Sequence, residues 1–333
     1  MKKILVLGGT GAMGRYLVPE LLDLGYRVDV VSLDEASSEN PMLNFIKGDT
    51  KEEGFMKKLL SEKYNGIVDF MTYKTKEFEK IYRLFLDNTE HYIFLSSCRV
   101  FADAPPIRED SPRLLDVCRD EYFMSTEDYA LYKAREEDML KNSPYSNWTI
   151  VRPATTYSTG RFQLVTLEAP TLIYRMLAGK TVVLPEGAMK KQATLSWGGD
   201  VGRMIARLLF NERAYRESYN TATGEHHSWE EIAAIYNELC PFEYITVSTE
   251  DYLDIIEPGE DWAKYQLIYA RYFERITDNA KILEHTGMKQ SELMTLADGL
   301  RYEFERSKDF DWSQFADDGR NVRMDEYLKK KGM

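Results

Sequence analysis

Cysteine is scarce in this sequence: Cys98, Cys118 and Cys240 are the only three, far apart and without a CxxC pair. That excludes a disulfide framework and a cysteine-rich zinc site, and it suits a reducing, cytoplasmic setting. Histidine is almost as rare. His91 and His285 stand alone, and the adjacent His226 and His227 would point to opposite faces of an extended chain, so no metal site is expected. Positive charge is in deficit: 43 Lys and Arg face 55 Asp and Glu, a net charge of −12. Such a surface repels nucleic-acid phosphates and anionic lipid headgroups, which argues against nucleic acid and membrane partners and leaves a small molecule as the expected one. Long apolar runs are missing as well, none approaching the ~20 residues of a membrane span. The run Ile4 to Leu7 behind Lys2-Lys3 stops at Gly8-Gly9 and reads as a buried strand rather than the core of a signal sequence. There is no internal repeat and no low-complexity linker.

What is present is a rhythm. Short apolar runs at Ile4–Leu7, Arg27–Ser32, Leu43–Lys47, Gly66–Met71, Tyr92–Ser96 and Thr149–Arg152 alternate with amphipathic stretches such as Phe78, Ile81, Tyr82 and Phe85. Strands that are apolar throughout, separated by helical patterns, predict an α/β fold with a doubly wound parallel sheet. The rhythm breaks after Tyr157 and resumes with Thr194–Trp197, a helix over Gly199–Asn211 and a strand at Ser218–Asn220. Residues 1–156 and 194–223 are therefore expected to form a dinucleotide-binding domain, and 157–193 with 224–333 a smaller α+β substrate domain, with helices at Trp229–Leu239 and Asn279–Thr286.

Two motifs carry chemistry. The first is Gly8-Gly9-Thr10-Gly11-Ala12-Met13-Gly14, set between a strand and a helix. Glycines at 8, 11 and 14 permit a tight turn, close approach of a diphosphate and close helix–strand packing, while the helix N-terminus offers amide donors. A tight turn without a ligand is the plain alternative. The second strand ends Val30-Val31-Ser32-Leu33-Asp34, and Asp34 would accept from a ribose hydroxyl or equally be a solvated loop carboxylate; with no arginine at 32–36 the pattern favours NAD and leaves NADP open. Asp49 with Thr50 after the third strand, and Thr72 after the fourth, are further candidate cofactor contacts, although a turn aspartate explains Asp49 equally well. The second motif is Tyr129 and Lys133, which an i, i+4 spacing puts on one helix face. A neighbouring ammonium favours the phenolate and makes tyrosine a serviceable acid/base near neutral pH. Ser97, at the end of the fifth strand, would bond the same substrate oxygen.

Together these motifs resemble the extended short-chain dehydrogenase/reductase family, the NAD-dependent epimerases and dehydratases. The resemblance rests on Gly8, Gly11 and Gly14; on Ser96-Ser97-Cys98-Arg99-Val100-Phe101; on Glu109 to Pro112; and on Tyr129 to Lys133, Val151-Arg152-Pro153, Asp200-Val201 and Tyr219-Asn220. It implies a Rossmann fold with a C-terminal substrate domain, a homodimer, Ser97, Tyr129 and Lys133 as catalytic residues, and Pro153 beside the nicotinamide. Ser97, Cys98, Thr155, Arg161 and Lys191 would then meet the substrate. Two departures bear on that substrate. Cys98 and Arg99 occupy the positions of the Asp-Glu pair of 4,6-dehydratases, so that elimination is not expected. The arginine that usually clamps a nucleotide diphosphate is replaced by Ala193, with Lys190 and Lys191 nearby. A variant of the family that includes chloroplast stem-loop RNA-binding proteins shares Gly48-Asp49 and Val68-Asp69-Phe70-Met71. The expected function is hydride transfer by an epimerase or reductase of a nucleotide sugar. The alternatives are reduction of a non-nucleotide carbonyl and a non-catalytic, RNA-associated or regulatory cofactor-binding protein.

Overall fold

Seven parallel strands form the central sheet of the computed structural model, which describes all residues 1–333. They are β1 (Lys3–Leu7), β2 (Arg27–Ser32), β3 (Leu43–Lys47), β4 (Tyr64–Asp69), β5 (Thr89–Leu95), β6 (Trp148–Pro153) and, after six short strands outside the sheet of which β7 (Thr155–Tyr157) and β8 (Leu195–Trp197) matter here, β9 (Glu217–Thr221). Their spatial order is β9-β6-β5-β4-β1-β2-β3. The order reverses between β1 and β4, so a crevice opens at the carboxyl ends of those two strands, where a doubly wound sheet places a ligand. The helices that matter are α1 (Gly14–Asp23), α2 (Glu53–Leu60), α3 (Thr75–Asp87), α4 (Tyr129–Lys141), α5 (Ala169–Leu177), α6 (Gly198–Leu208) and α7 (Trp229–Leu239).

Period-2 alternation divides each strand between two layers. Ile4, Val6, Val28, Val30, Val68 and Ile93 pack under α1 and α6, through Leu17 and Leu21 of the first and Val201 and Ile205 of the second. Leu5, Leu7, Val31, Ile67 and Phe94 face the other way, onto Phe78, Ile81 and Phe85 of α3 and Leu140 of α4. Because both faces are covered at the middle of the sheet, a central strand such as β1 is apolar on both sides from Ile4 to Leu7, whereas the edge strand β3 is only partly buried. A third core holds Tyr157, Leu172, Trp229, Tyr236, Leu300 and Trp312 and lies entirely beyond residue 156.

Several expected boundaries shift for local reasons. The fourth strand ends at Asp69 rather than Met71, because the Asp69 carboxylate turns back to accept from the Met71 amide at 2.9 Å. The fifth spans Thr89–Leu95, and the helix expected over Gly199–Asn211 runs Gly198–Leu208. Pro19 sits inside α1, which nonetheless continues to Asp23 and stops at Gly25, held at φ +80° where a side chain would be strained. The segment expected to resume the βα rhythm at Thr194–Trp197 does form a strand, β8 (Leu195–Trp197), but not in the central sheet. It pairs in parallel with β7 (Thr155–Tyr157), which follows β6 after one residue.

The third core is fastened to the sheet at one buried acid. Glu303, on the helix Leu296–Arg306, accepts from the Tyr16 hydroxyl of α1, from the Trp197 indole and, at 2.6 Å, from Thr159. A second buried acid ties the sheet to α4. Glu137 receives Arg152 of β6 in a two-pronged contact, Nε to Oε1 at 2.7 Å and Nη2 to Oε2 at 2.6 Å, and Ser96 donates to the same carboxylate at 2.6 Å. Burial alone would raise this carboxyl, but the Arg152 charge and its hydrogen bonds outweigh it and hold the group at about 2.

Removing one partner of such a pair strands the other charge in the interior. Glu137→Gln is expected to lower the unfolding free energy by about 3–5 kcal/mol, read from urea denaturation at neutral pH. The folded carboxyl titrates below its ordinary 4.5, so its contribution is present above that value and is lost as pH falls from 4.5 toward 2; the variant should flatten that part of the stability profile.

Candidate functional site

The glycine turn closes the space between β1 and α1. Gly8 has φ +74°, and a Cβ on Gly14 would lie 2.4 Å from the Gly9 carbonyl oxygen, so neither position tolerates a side chain without moving the backbone. Gly11 donates to the Gly8 carbonyl at 3.1 Å, while the amides of Ala12 and Met13 have no protein acceptor. Met13, the residue before α1, provides no side-chain cap. A helix N-terminus with free amides, an approach kept clear of side chains and no acidic residue in its first turn fits a diphosphate.

Asp34 closes the outer side of this turn. Its Oδ2 accepts from the Thr10 hydroxyl at 2.8 Å and from Ser32 at 3.1 Å, so the glycine turn and the end of β2 share one exposed carboxylate. That charge would repel a 2′-phosphate and suits two ribose hydroxyls. The two positions after β3 differ from each other. Asp49 is exposed and accepts from the Lys51 amide at 2.8 Å, the turn geometry that was its plainer reading, whereas Thr50 is buried with its hydroxyl unpartnered.

Beyond the turn, a cavity of about 330 Å³ is lined by Met13, Thr72, Ser97, Tyr129, Pro153 and Thr155, among others. Six residues proposed from five separate stretches of sequence therefore meet at one place. Tyr129 is the first residue of α4, whose N-terminus is capped by Asp128 accepting from the Ala130 amide at 2.9 Å. The Tyr129 ring lies between the Arg99 guanidinium, 5.1 Å from its centroid, and the Tyr132 ring at 5.4 Å. Ser97 follows Ser96, which Glu137 anchors, and its own Oγ accepts from the Arg99 amide at 3.1 Å.

Lys133 is one turn deeper and 1% exposed. Its ammonium faces Glu136 at 3.1 Å, donates to the Met71 carbonyl at 3.3 Å and lies over the Phe94 ring. Glu136 is fully buried, and neither carboxylate oxygen has hydrogen-bond geometry with any donor. Burial pushes its carboxyl up to about 8, against the pull of Lys133. Asp69, at the end of β4, is likewise raised by burial to about 6, with the Met71 amide and the Tyr92 hydroxyl holding it from rising further. One ammonium thus serves a buried acidic neighbourhood directly behind the cavity.

Cys98 also lines the cavity, but its thiol donates to the Arg152 carbonyl at 3.1 Å and burial pushes it up to about 12, which removes it as a thiolate nucleophile. Arg161 lines the cavity and is exposed. Lys191 does not line it; Glu274 holds its ammonium at 3.0 Å. Besides Arg161, the cations at the cavity are ones not proposed for the site from sequence: Arg99, Arg271 and Arg275. The last two stand four residues apart in Arg271-Tyr272-Phe273-Glu274-Arg275, a spacing that was the one available signal. Arg275 reaches the site through a bridge to Ala193, so a guanidinium from a distant segment stands beside the position where the resemblance expects one. No helix is long and apolar enough to cross a membrane, and no group of three His, Cys, Asp or Glu side chains could hold a metal.

The family model of the NAD dependent epimerase/dehydratase family matches residues 4–222. The chain belongs to that family. Among curated proteins it is similar to the chloroplast stem-loop binding protein of 41 kDa b of Arabidopsis thaliana, 25% identical over 248 residues that make up 70% of this chain; the chain spans about three fifths (61%) of the length of that relative. Among solved structures, an epimerase from Methanothermobacter thermautotrophicus aligns with TM-score 0.68 at 15% identity, over 95% of both chains. The Bordetella bronchiseptica enzyme WbmH, solved in complex with NAD+, gives TM-score 0.68 at 15% identity over 93% of this chain and 99% of its own. These likenesses establish the shared fold.

The raised Glu136 makes a pH signature. A carboxyl that titrates near 8 when folded and at 4.5 ordinarily favours the folded state at low pH and loses that contribution as pH rises from 4.5 through 8. Glu136→Gln is expected to abolish this alkaline decline in urea midpoint; an unchanged profile would assign the decline to other groups.

Proposed function

We propose that this chain is an NAD-dependent enzyme that moves hydride at a hydroxyl-bearing carbon, acting as an epimerase or reductase on a nucleotide sugar. The observation that carries the reading is the meeting of the Tyr129 phenol and the Ser97 hydroxyl in one cavity that begins where the uncapped glycine turn ends. NAD, when bound, supplies an acceptor and donor of hydride. The chain's own residues divide the remaining work. The free Ala12 and Met13 amides hold the diphosphate, and Asp34 and Lys133 hold the two riboses. Pro153 and Met13 bound the space for the nicotinamide. Ser97 orients the substrate oxygen, and Tyr129 takes its proton while the carbon is oxidised and gives it back on reduction. Two structural relatives support the sugar: one Bordetella bronchiseptica enzyme was solved in complex with NAD and UDP, and another relative is an NDP-hexosamine 5,6-dehydratase.

The same proposal divides the chain into a cofactor part, 1–156 with 194–223, and a substrate part. It also places the enzyme, as a homodimer, in a reducing cytoplasm, consistent with three free cysteines. The name of the Arabidopsis relative favours a second reading, binding of an RNA stem-loop. The net charge of −12 and a recessed rather than ridged cation cluster weigh against it.

Tyr129→Phe should lower turnover roughly 10²–10⁴-fold while NAD affinity, measured by quenching of protein fluorescence, stays unchanged. Retained turnover would remove Tyr129 from the chemistry. RNA binding that weakens steeply with salt would favour the second reading.

A further inference from the structure

The cavity holds a charge pattern opposite to that of the whole protein. Arg99, Arg161, Arg271 and Arg275 line it, against one carboxylate, Glu168. Burying a guanidinium without a counter-ion is expensive, and a fold that does so usually supplies the anion from elsewhere. The four arginines differ in how far the protein satisfies them. Arg275 is used up by the main chain, donating to the carbonyls of Cys98, Phe101, Tyr269 and Ala270 at 2.9 to 3.4 Å. Arg271, buried, donates through Nε to the Val165 carbonyl at 2.7 Å and through Nη2 to Gln163 only at 3.5 Å, leaving Nη1 without a protein partner. Arg99 touches Asp128 at 3.5 Å, and its buried Nε is unpartnered. Arg161 makes no side-chain hydrogen bond or ion pair, and its place in the strand-like pairing with Ser158 fixes only its backbone. Neither Arg271 nor Arg275 has a carboxylate in ion-pair contact. Burial brings Arg271 down to about 9 and Arg275 to about 10, with the nearby Arg99 charge adding to the fall in each.

We propose that Arg99, Arg271 and Arg161 form a seat for a compact oxyanion, carboxylate, sulfate or phosphate, carried on the reacting part of the substrate. The placement follows from Arg99: it stacks on the Tyr129 ring, and its amide is bonded to Ser97, so an anion it holds lies beside the atoms that exchange the proton. Forked guanidinium donors suit a planar or tetrahedral oxyanion better than ammonium groups do. This deepens the hydride-transfer reading and rests on it for the meaning of "reacting part"; a diphosphate farther along the substrate is the other source of the same chemistry.

The test uses inorganic sulfate as the probe, titrated by calorimetry into the purified protein at constant ionic strength with saturating NAD. The expected result is saturable sulfate binding that weakens at least tenfold in Arg99→Gln, Arg271→Gln and Arg161→Gln and that excess UDP does not displace. Arg161→Gln guards against a folding artefact, because that exposed side chain has no protein partner to lose. Absence of saturable binding, binding indifferent to all three substitutions, or displacement by UDP would each overturn the seat as placed. Failure of NAD to bind, read separately by fluorescence, would instead sink the hydride-transfer reading and leave the sulfate result to stand by itself.

Discussion

The contact between Glu137 and Arg152 is the constraint on which the site depends. It joins the middle of α4 to the end of β6, and through Ser96 it joins both to the end of β5. Arg152 also donates to the Glu109 carbonyl at 2.9 Å, which pins the long connection between β5 and α4. Two residues of the cavity and one directly behind it are fixed close to this knot: Ser97 follows Ser96, Pro153 follows Arg152, and Lys133 lies one turn before Glu137. A buried pair of this kind is weak evidence for high stability, since an apolar replacement of the same shape can serve as well. Its value here is positional. Three elements far apart in the chain are brought to one register by a contact that two oxygens and two nitrogens define.

Behind that knot the same helix presents a different acid. Glu136 and Glu137 are neighbours in sequence, both buried, and their carboxyls move in opposite directions, because one receives a guanidinium fork and a serine while the other has a single ammonium and no hydrogen bond. The contrast shows how far local geometry, rather than burial alone, decides the charge state of an interior group. It also gives Lys133 a partner when no other acceptor is present.

Much of the architecture was legible because its signals are local. Apolar runs such as Ile4–Leu7 and Val28–Val31 need only period and length to be read as sheet, and the glycine turn needs only its place between strand and helix. The Tyr129 and Lys133 pair was legible for the same reason, four residues on one helix. What escaped was assembled by tertiary structure. Arg271 and Arg275 arrive from a segment more than a hundred residues beyond α4, the latter through pairing with Ala193, and no spacing rule links them to Ser97. Lys191 looked available because its partner Glu274 is remote in sequence. The strand at Leu195–Trp197 was legible but its partner was not, since a parallel strand as short as Thr155–Tyr157 leaves no periodic trace.

The fastening at Glu303 has a consequence for how such a molecule chooses what it processes. Tyr16 comes from the first helix of the sheet layer, Trp197 from the strand that runs straight into α6, and Glu303 from the far core, so the two parts of the molecule that line the cleft are stitched together at one carboxylate. A jaw hinged at that seam would have to break a buried carboxylate free of its donors at every turnover. With the two parts tied in this way, discrimination would fall to which side chains furnish the interior: a fitted mould, altered by exchanging its lining, rather than a clamp that closes around whatever enters.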